Sequence, residues 1–196
     1  MRLGLDLRSA SVDDAIAIAV DADRLGVWAV LVTGPPGAET SVAAELAVAT
    51  DHVHLAVQLD AAQAHPQALA EEIAILDHLS QRRAIAIVDG DTATTDQVRR
   101  LLAAEVVDGT VIAPPPAQTA VTTWQADAVT VIDLADDLAA ARQRVDELRD
   151  GGTTHAFATW PGSAAVFARH LATRARTPDF PDLVADYADT IAPLSD

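Results

Sequence analysis

The sequence predicts an α/β fold in which helices alternate with the strands of a parallel sheet. Three observations lead to this fold class. Short apolar runs recur along the chain, a segment of helical length follows most of them, and several runs are apolar at almost every position. Continuous apolar runs are typical of parallel strands buried on both faces, whereas strands with one wet face alternate. Units of this kind join through right-handed crossovers, so the strands form either an open doubly wound sheet or a barrel.

The first half of the chain contains four strand–helix units in a clear order. The run at 3–7 is a strand, and the helix at 11–26 begins at the N-cap Ser11 and ends at Gly26. Further strands are predicted at 27–33, 53–59 and 84–89, where the runs are apolar and bounded by turn residues. Helices are predicted after them at 41–50, 66–80 and 95–105.

The second half is less regular. Strands are predicted at 106–113 and 127–133, with a proline-rich segment between them that has no helical pattern. Asp133 is a suitable cap for a helix at 134–152, and a last strand at 155–160 leads into a helix at 161–175. The segment 181–190 forms either one more helix or an arm on a partner.

Seven strands in 196 residues leave two candidates, a compact (β/α) TIM-type barrel and an open doubly wound sheet, in a single domain over 1–196. A full barrel takes about 250 residues, so we expect this one to lack a unit or an insertion. No G-x-G-x-x-G follows the first strand, and G-x-x-x-x-G-K-[ST] does not occur. The sequence therefore does not favour a Rossmann-type dinucleotide site or a P-loop nucleotide site.

Composition excludes several classes of function. The formal net charge is −16, with 29 acidic and 13 basic residues, and every basic residue is arginine. Nucleic acids and anionic membranes need a basic face, so neither is an expected partner, and a small-molecule ligand is expected instead. The absence of lysine and cysteine removes Schiff-base chemistry, disulfides and thiolate sites. With no signal-peptide pattern and no apolar run of membrane-spanning length, we expect a soluble, cytoplasmic protein.

One stretch carries a resemblance to a known family. The pattern HP..LA.E.A.LDHLS..R covers residues 65–83, and VDADRLGVWAVLV (20–32) and ELAVATDHVHLAVQL (45–59) precede it. In order and spacing over residues 3–90 the chain resembles the luciferase-like monooxygenase family, and 145–172 is similar to the family's last helix–strand–helix unit. The resemblance implies a (β/α) barrel, commonly dimeric, and an oxidoreductase that uses FMN or a deazaflavin coenzyme.

The sequence departs from the family pattern in three places. Family members usually continue from the arginine into a glycine-rich strand end, whereas here only Gly90 follows. The loop after the second strand, TGPPGAE at 33–39, has no histidine. About 65 residues separate Gly90 from His155, which leaves no room for the family's long insertion over the substrate.

These features leave alternatives open. The predicted function is a flavin- or deazaflavin-dependent oxidoreductase, with no catalytic residue assigned and no metal site predicted. The alternative is a non-catalytic barrel that binds flavin, another small ligand or no cofactor, or that partners a full-length homologue. We expect a homodimer, or a heterodimer with a homologue. A third hypothesis, an unrelated hydrolytic or isomerase domain, has no motif in its favour.

Side-chain alternation along the strands identifies four candidate binding residues. If the aliphatic faces of the first and third strands meet the helices, Asp6, Arg8, Gln58 and Asp60 point into the barrel or its upper rim. Ligands of barrels lie at this end of the strands. The structural alternative is an internal ion pair, Asp6–Arg8 or Arg8–Asp60, that plugs the barrel.

The remaining candidates lie in loops after the strands. They are Thr33 at the start of a stiff loop, His65 on the rim, Asp89 and Gly90 after the fourth strand, and Gly162 and Ser163, whose backbone N–H groups suit a phosphate. His65 is alternatively a helix-cap residue before Pro66. His52 and His54 have the spacing of metal ligands, but they lie at the opposite end of a strand. Asp89 with Asp91 forms either a cation site or an ordinary acid–Gly–acid turn, and such turns are common.

Overall fold

Our computed structural model describes residues 1–32, 38–134 and 138–160, which form seven strands and five α-helices. The strands are β1 (Arg2–Asp6), β2 (Ala29–Val32), β3 (His54–Asp60), β4 (Ala84–Asp89), β5 (Thr122–Gln125), β6 (Val131–Ile132) and β7 (His155–Thr159). The helices are α1 (Val12–Arg24), α2 (Glu39–Ala49), α3 (Pro66–Leu79), α4 (Thr92–Leu102) and α5 (Leu138–Asp150). The helices predicted at 161–175 and 181–190 lie outside the described residues.

All seven strands pair in parallel in one sheet with the order β5-β4-β3-β2-β1-β7-β6. The sheet is curled. Four strands lie between β5 and β7 in the sheet, yet the ring centroids of Trp124 in β5 and His155 in β7 are only 5.3 Å apart. The result is a half-barrel with helices. Within the described residues, β5 and β6 form the two edges and do not pair with each other, so the closed barrel expected from the sequence is not confirmed.

The prediction of a strand at 106–113 is wrong. In this segment Val107 and Thr110 exchange two backbone hydrogen bonds of 2.9 and 2.8 Å around Asp108 and Gly109, which both have positive φ. An Asp-Gly pair favours this tight turn over an extended strand. The fifth strand is instead β5, which pairs with β4. It lies inside the proline-rich segment that has no helical pattern. Only Val131–Ile132 of the strand predicted at 127–133 pairs in the sheet.

The two faces of the sheet differ as the alternation predicts. Leu3, Leu5 and Leu7 belong to the main apolar core, together with buried residues of the helices. The concave face holds a second, smaller core of Ala29, Leu31, Ala56, Ile85, Ile87 and Phe157. The expectation that the aliphatic faces of β1 and β3 meet the helices is therefore confirmed. Among the described residues, no helix is both long and apolar enough to cross a membrane.

Arg83 joins three parts of this scaffold. The residue is buried just before β4 and makes no ion pair within the described residues. Its guanidinium donates instead to oxygens of the loop before β4, of α2 and of the α2–β3 connection. The acceptors are the carbonyls of Ser80 (2.6 Å), Ala47 (3.0 Å), Thr50 (2.8 Å) and Val53 (2.9 Å) and the hydroxyl of Thr50 (2.8 Å). The arginine of the family-like pattern thus holds backbone together rather than lining the concave face.

Candidate functional site

Polar side chains collect at the carboxyl edge of the sheet, where β1, β3 and β4 end. Asp6 is the last residue of β1, and Asp60 and Asp89 are the paired last residues of β3 and β4. Parallel strands bring their carboxyl ends to one edge, which is why residues far apart in sequence meet here. Ligands of parallel α/β folds bind at this edge.

Arg8 is held in a fixed orientation at this edge by its contacts with Asp6. Its Nε donates to Asp6 Oδ1 at 2.9 Å and its second terminal nitrogen donates to Oδ2 at 2.7 Å, a bidentate pair. The backbone N–H of Arg8 donates to the same carboxylate at 3.1 Å. The hydrogen bond to Asp6 raises the pKa of Arg8, against the opposing effect of burial. Asp6 is 6% exposed and the Arg8 side chain 33% exposed, so the pair lies at the boundary with solvent.

Gln58 extends this pair across the concave face. Its Oε1 accepts a hydrogen bond of 2.6 Å from Arg8, and its Nε2 donates to Asp89 at 3.2 Å. The result is a chain of hydrogen bonds from β1 through β3 to β4. A guanidinium has five N–H groups, of which these contacts use three, so two remain for a ligand or for solvent.

Asp60 makes local contacts and does not take part in this chain of hydrogen bonds. Its carboxylate accepts from the backbone N–H of Ala62 at 2.8 Å and from the Gln63 amide at 2.7 Å. Of the two ion pairs considered from the sequence, the structure contains Asp6–Arg8, whereas its ion pairs between described residues do not include Arg8–Asp60.

His65 and Gly90 both have local structural roles near this edge. The exposed ring of His65 caps α3, since its Nδ1 accepts from the backbone N–H of Gln67 at 3.3 Å and Pro66 follows at the first helical position. Gly90 packs closely against the loop after β3. A Cβ at this position would lie 2.7 Å from the Cβ of Ala61. Asp91 caps α4 by accepting from the backbone of Thr94 at 2.7 Å. The predicted binding residues Thr33, Gly162 and Ser163 lie outside the described residues.

The electrostatics of this edge favour a neutral group over an anion. Asp6, Asp60 and Asp89 place three carboxylates at the edge that holds Arg8, and Asp133, which contacts Thr159 of β7, lies after the edge strand β6. Such a set accepts hydrogen bonds from ring N–H groups, while Arg8 donates to ring carbonyls. In the described part of the chain no group of three or more histidines and acids is placed to hold a metal ion.

Sequence reasoning missed a cluster of rings at the opposite end of the concave face. Trp28, His54, Trp124, His155 and Phe157 come from four different strands or the residues just before them. The sequence places His54 at the amino end of a strand, and each tryptophan lies alone in a separate segment. The available signal was weak, because it consisted of single aromatic residues in separate strand segments of a chain with 4% aromatic residues.

Comparisons with known proteins give matches in structure alone. No protein-family model matches the sequence, and the search of curated proteins found no relative. The monooxygenase RslO1 from Streptomyces bottropensis is similar in structure, with a TM-score of 0.54 and 19% identity over 98% of this chain and 67% of that one. MsnO8, solved as the apo protein, has a TM-score of 0.55 and 15% identity over 88% of this chain and 58% of its own length.

A coenzyme F420-dependent tetrahydromethanopterin reductase from Methanopyrus kandleri is a more distant neighbour. Its TM-score is 0.45 and its identity 17%, over 70% of this chain and 51% of that one. At such identities the comparisons with RslO1 and MsnO8 establish the fold alone. They support the family resemblance at that level, and this chain spans about two thirds or less of each neighbour's length.

Proposed function

We propose that the chain binds a flavin or a deazaflavin coenzyme at the carboxyl edge of the half-barrel, as part of a luciferase-like oxidoreductase. The observation that carries the proposal is the oriented Arg8 in the hydrogen-bonded set of Asp6, Gln58 and Asp89, at the edge where this fold binds ligands. The monooxygenase RslO1 shares the fold, which makes a redox cofactor the first ligand to test.

Each candidate residue has a role in this proposal. The free N–H groups of Arg8 donate to carbonyl oxygens of the cofactor ring, and Asp89 and Asp60 accept from its N–H group. Gln58 keeps Arg8 in place. The cofactor, when bound, supplies the redox chemistry, while this chain binds it, orients it and shields it from water. In the same proposal Thr33, His65 and Gly90 border the ring, and the backbone N–H groups of Gly162 and Ser163 hold the phosphate.

Titration with FMN and with coenzyme F420 tests this proposal. We expect a shifted visible spectrum and quenched cofactor fluorescence with a Kd of about 10 µM. Arg8→Gln should weaken binding about tenfold or more, because a charged donor is lost. Arg99→Gln is the matched control, since Arg99 is a surface arginine on α4 that pairs only with Asp96 among the described residues, at 3.2 Å. If neither cofactor binds at millimolar concentration, the proposal is wrong.

One observation favours the second candidate, a non-catalytic ligand-binding barrel. Several polar side chains at the carboxyl edge, those of Asp6, Arg8 and Gln58, hydrogen-bond one another, an arrangement that suits binding better than proton transfer. Anaerobic reduction by NADPH separates the two candidates. A catalytic protein accelerates reduction of the bound cofactor over the free one, whereas a non-catalytic one shifts the spectrum without accelerating reduction.

We also propose that the chain functions as a dimer, with itself or with a homologous chain. Supporting this, Val48 on α2 is 82% exposed, and Ile75 and Leu79 on α3 are about half exposed. Ile75 and Leu79 line one groove with Ala44 of α2. Sedimentation velocity tests the proposal, and Ile75→Glu should shift the chain toward a monomer. A monomer at all concentrations, with no homologue captured, would contradict it.

A further inference from the structure

Cavities of the described structure gather at the amino end of the sheet, opposite the proposed cofactor site. One of about 390 Å³ is lined by Arg2, Trp28 and His54, among others. A second of about 250 Å³ is lined by Trp124, His155 and Phe157. An open cleft of about 670 Å³ has both Arg2 and His155 in its wall. Arg2 and His155 are paired positions of β1 and β7, so these three spaces surround one spot.

The ring cluster forms the floor of this region. Trp28 is its centre, with ring centroids 4.6 Å from His155, 5.9 Å from Trp124 and Phe157, and 6.0 Å from His54. These spacings are those of packed aromatic pairs. Burial lowers the pKa of His54 and of His155, and the positive charge of Arg2 lowers both further. Both imidazoles are therefore neutral at pH 7 and offer uncharged faces.

Arg2 is the charged group nearest the ring cluster, while Arg149 and Met1 also line the open cleft. Its guanidinium lies 5.8 Å from the centroid of the Trp28 ring, and no carboxylate lies within ion-pair distance of it among the described residues. The nearby Asp23 also lines the cavity, but its carboxylate is occupied by three backbone N–H groups of residues 51–53. Arg2 is thus an exposed cation held beside rings, with its planar fork open to a carboxylate.

A second unsatisfied group lies in the same cluster. The Nε1–H of Trp28 is closed off from solvent and has no hydrogen-bond partner in the described part of the chain. A buried donor without an acceptor costs free energy.

We propose that the amino end of the half-barrel binds a small aromatic carboxylate, whose ring lies against the cluster of Trp28 and His155 and whose carboxylate pairs with Arg2. The 390 Å³ cavity and the 670 Å³ cleft, which both contain Arg2 in their walls, suit such a ligand, since sites for small molecules begin at about 300 Å³. This site and the carboxyl edge lie at opposite ends of the strands. Ligand binding at the amino end therefore does not depend on cofactor binding at the carboxyl edge.

Calorimetric titration with 2-naphthoate and its neutral analogue 2-naphthamide tests this site. The wild-type chain should bind 2-naphthoate about tenfold more tightly than 2-naphthamide, because only the acid forms a charge-assisted pair. Arg2→Gln should remove this preference, while Arg2→Lys should keep part of it. The control Arg99→Gln should leave both affinities unchanged. Equal affinities for the two probes, or a preference that survives Arg2→Gln, would overturn the assignment.

Two further measurements keep the test decisive. Circular dichroism melting checks that each variant is folded. If Arg2→Gln is not folded, His155→Ala replaces it, and this variant should lower the affinity for both probes by about threefold to tenfold because a stacking contact is lost. Arg8→Gln should leave naphthoate binding intact, and Arg2→Gln should leave FMN binding intact. Loss of naphthoate binding in Arg8→Gln alone would place the ligand at the carboxyl edge and refute the amino-end site.

Discussion

At the scale of single residues, the family-like pattern describes structural contacts more than chemistry. Pro66 starts α3, Arg83 joins α2 to β4, and Asp77 accepts from the backbone and side chain of Gln118 at 2.8 and 2.6 Å. Asp77 and Arg83 are both buried. A buried charge is tolerated only when its hydrogen bonds are complete, which explains why these residue types occur together with their partners.

Removing the Arg83 guanidinium should therefore be costly. Arg83→Met leaves backbone carbonyls of α2 and of the α2–β3 connection without donors, so we expect the free energy of unfolding to fall by about 3 kcal/mol. Urea denaturation measures the change. Arg99→Met, at an exposed ion pair, should cost no more than about 0.5 kcal/mol, and equal losses in both variants would contradict the role of Arg83.

Asp23 has a comparable role at the start of β3. Its carboxylate accepts from the backbone of Asp51, His52 and Val53 at 2.9, 2.8 and 2.6 Å. Asp23→Ala should lower the free energy of unfolding by about 1–3 kcal/mol. Asp21→Ala is the matched control, because Asp21 lies on the same helix and pairs loosely with Arg24 at 3.6 Å.

The Asp23 contribution should also depend on pH. Burial opposes its charged form, but the three backbone N–H groups outweigh burial and lower the pKa of Asp23 below its ordinary 3.8. A lowered pKa in the folded state means that the contribution is complete above pH 3.8 and is lost as the pH falls through the folded value. The difference in stability between wild type and Asp23→Ala should therefore shrink below pH 3.8. A difference independent of pH would count against this account.

At the scale of elements, β1 depends on a glycine. Gly4 lies on the concave face, where a Cβ would be 2.6 Å from the carbonyl oxygen of Ala29 and 2.7 Å from Phe157 Cδ1. The Phe157 ring therefore covers β1 only because position 4 has no side chain.

Gly4→Ala should force β1 and β2 or the Phe157 ring to move, and should lower the free energy of unfolding by about 1–3 kcal/mol. Gly151→Ala is the control, since a Cβ there would come no closer than 3.3 Å to the carbonyl oxygen of Glu147. Thermal and urea melts compare the two variants. A neutral Gly4→Ala would show that β1 is more adaptable than the packing indicates.

At the scale of the whole molecule, the rings on the concave face bring distant strands into contact. Each end of this face has an arginine, Arg2 at the amino end and Arg8 at the carboxyl edge. Arg2, Gly4 and Asp6 follow one another on this face of β1, which runs from the ring cluster to the carboxyl edge, and Arg8 lies just past its end. The two arginines at its ends have different surroundings. Arg8 pairs with a carboxylate, whereas Arg2 lies beside neutral rings.

The ring cluster should make the whole fold sensitive to mild acid. Burial and Arg2 lower the pKa of His54 and of His155 below the ordinary 6.5, although the carbonyl of Trp28 opposes this at His54. Their contribution to stability is complete above pH 6.5 and is lost as the pH falls through the lowered values. The double variant His54→Gln, His155→Gln should lose less stability than wild type between pH 7.5 and about 5. Parallel pH profiles of wild type and variant would contradict the prediction.

Most of the strand and helix positions followed from local pattern, and the exceptions have physical reasons. The helices α1 and α3 begin at the capping residues Ser11 and His65, as the sequence indicates. The fourth helix begins earlier than the predicted residue 95, because Asp91 caps α4 at Thr92. The segment 106–113 is apolar enough for a strand, but its Asp-Gly turn folds it back. The sequence does not predict β5, because a short edge strand with Thr122 and Thr123 has few apolar residues. Pairing with β4 stabilises it.

The sequence by itself determined the α/β class, the parallel sheet and which face of β1 meets the helices. Each of these depends on the spacing of apolar residues along a single element, and that spacing is local information. Only the tertiary structure decided that the sheet stops as a half-barrel, that Arg8 pairs with Asp6 and Gln58, and that Trp28 collects rings from three other strands. These features depend on contacts between residues up to 129 positions apart, as between Trp28 and Phe157, and no local pattern contains information about such contacts.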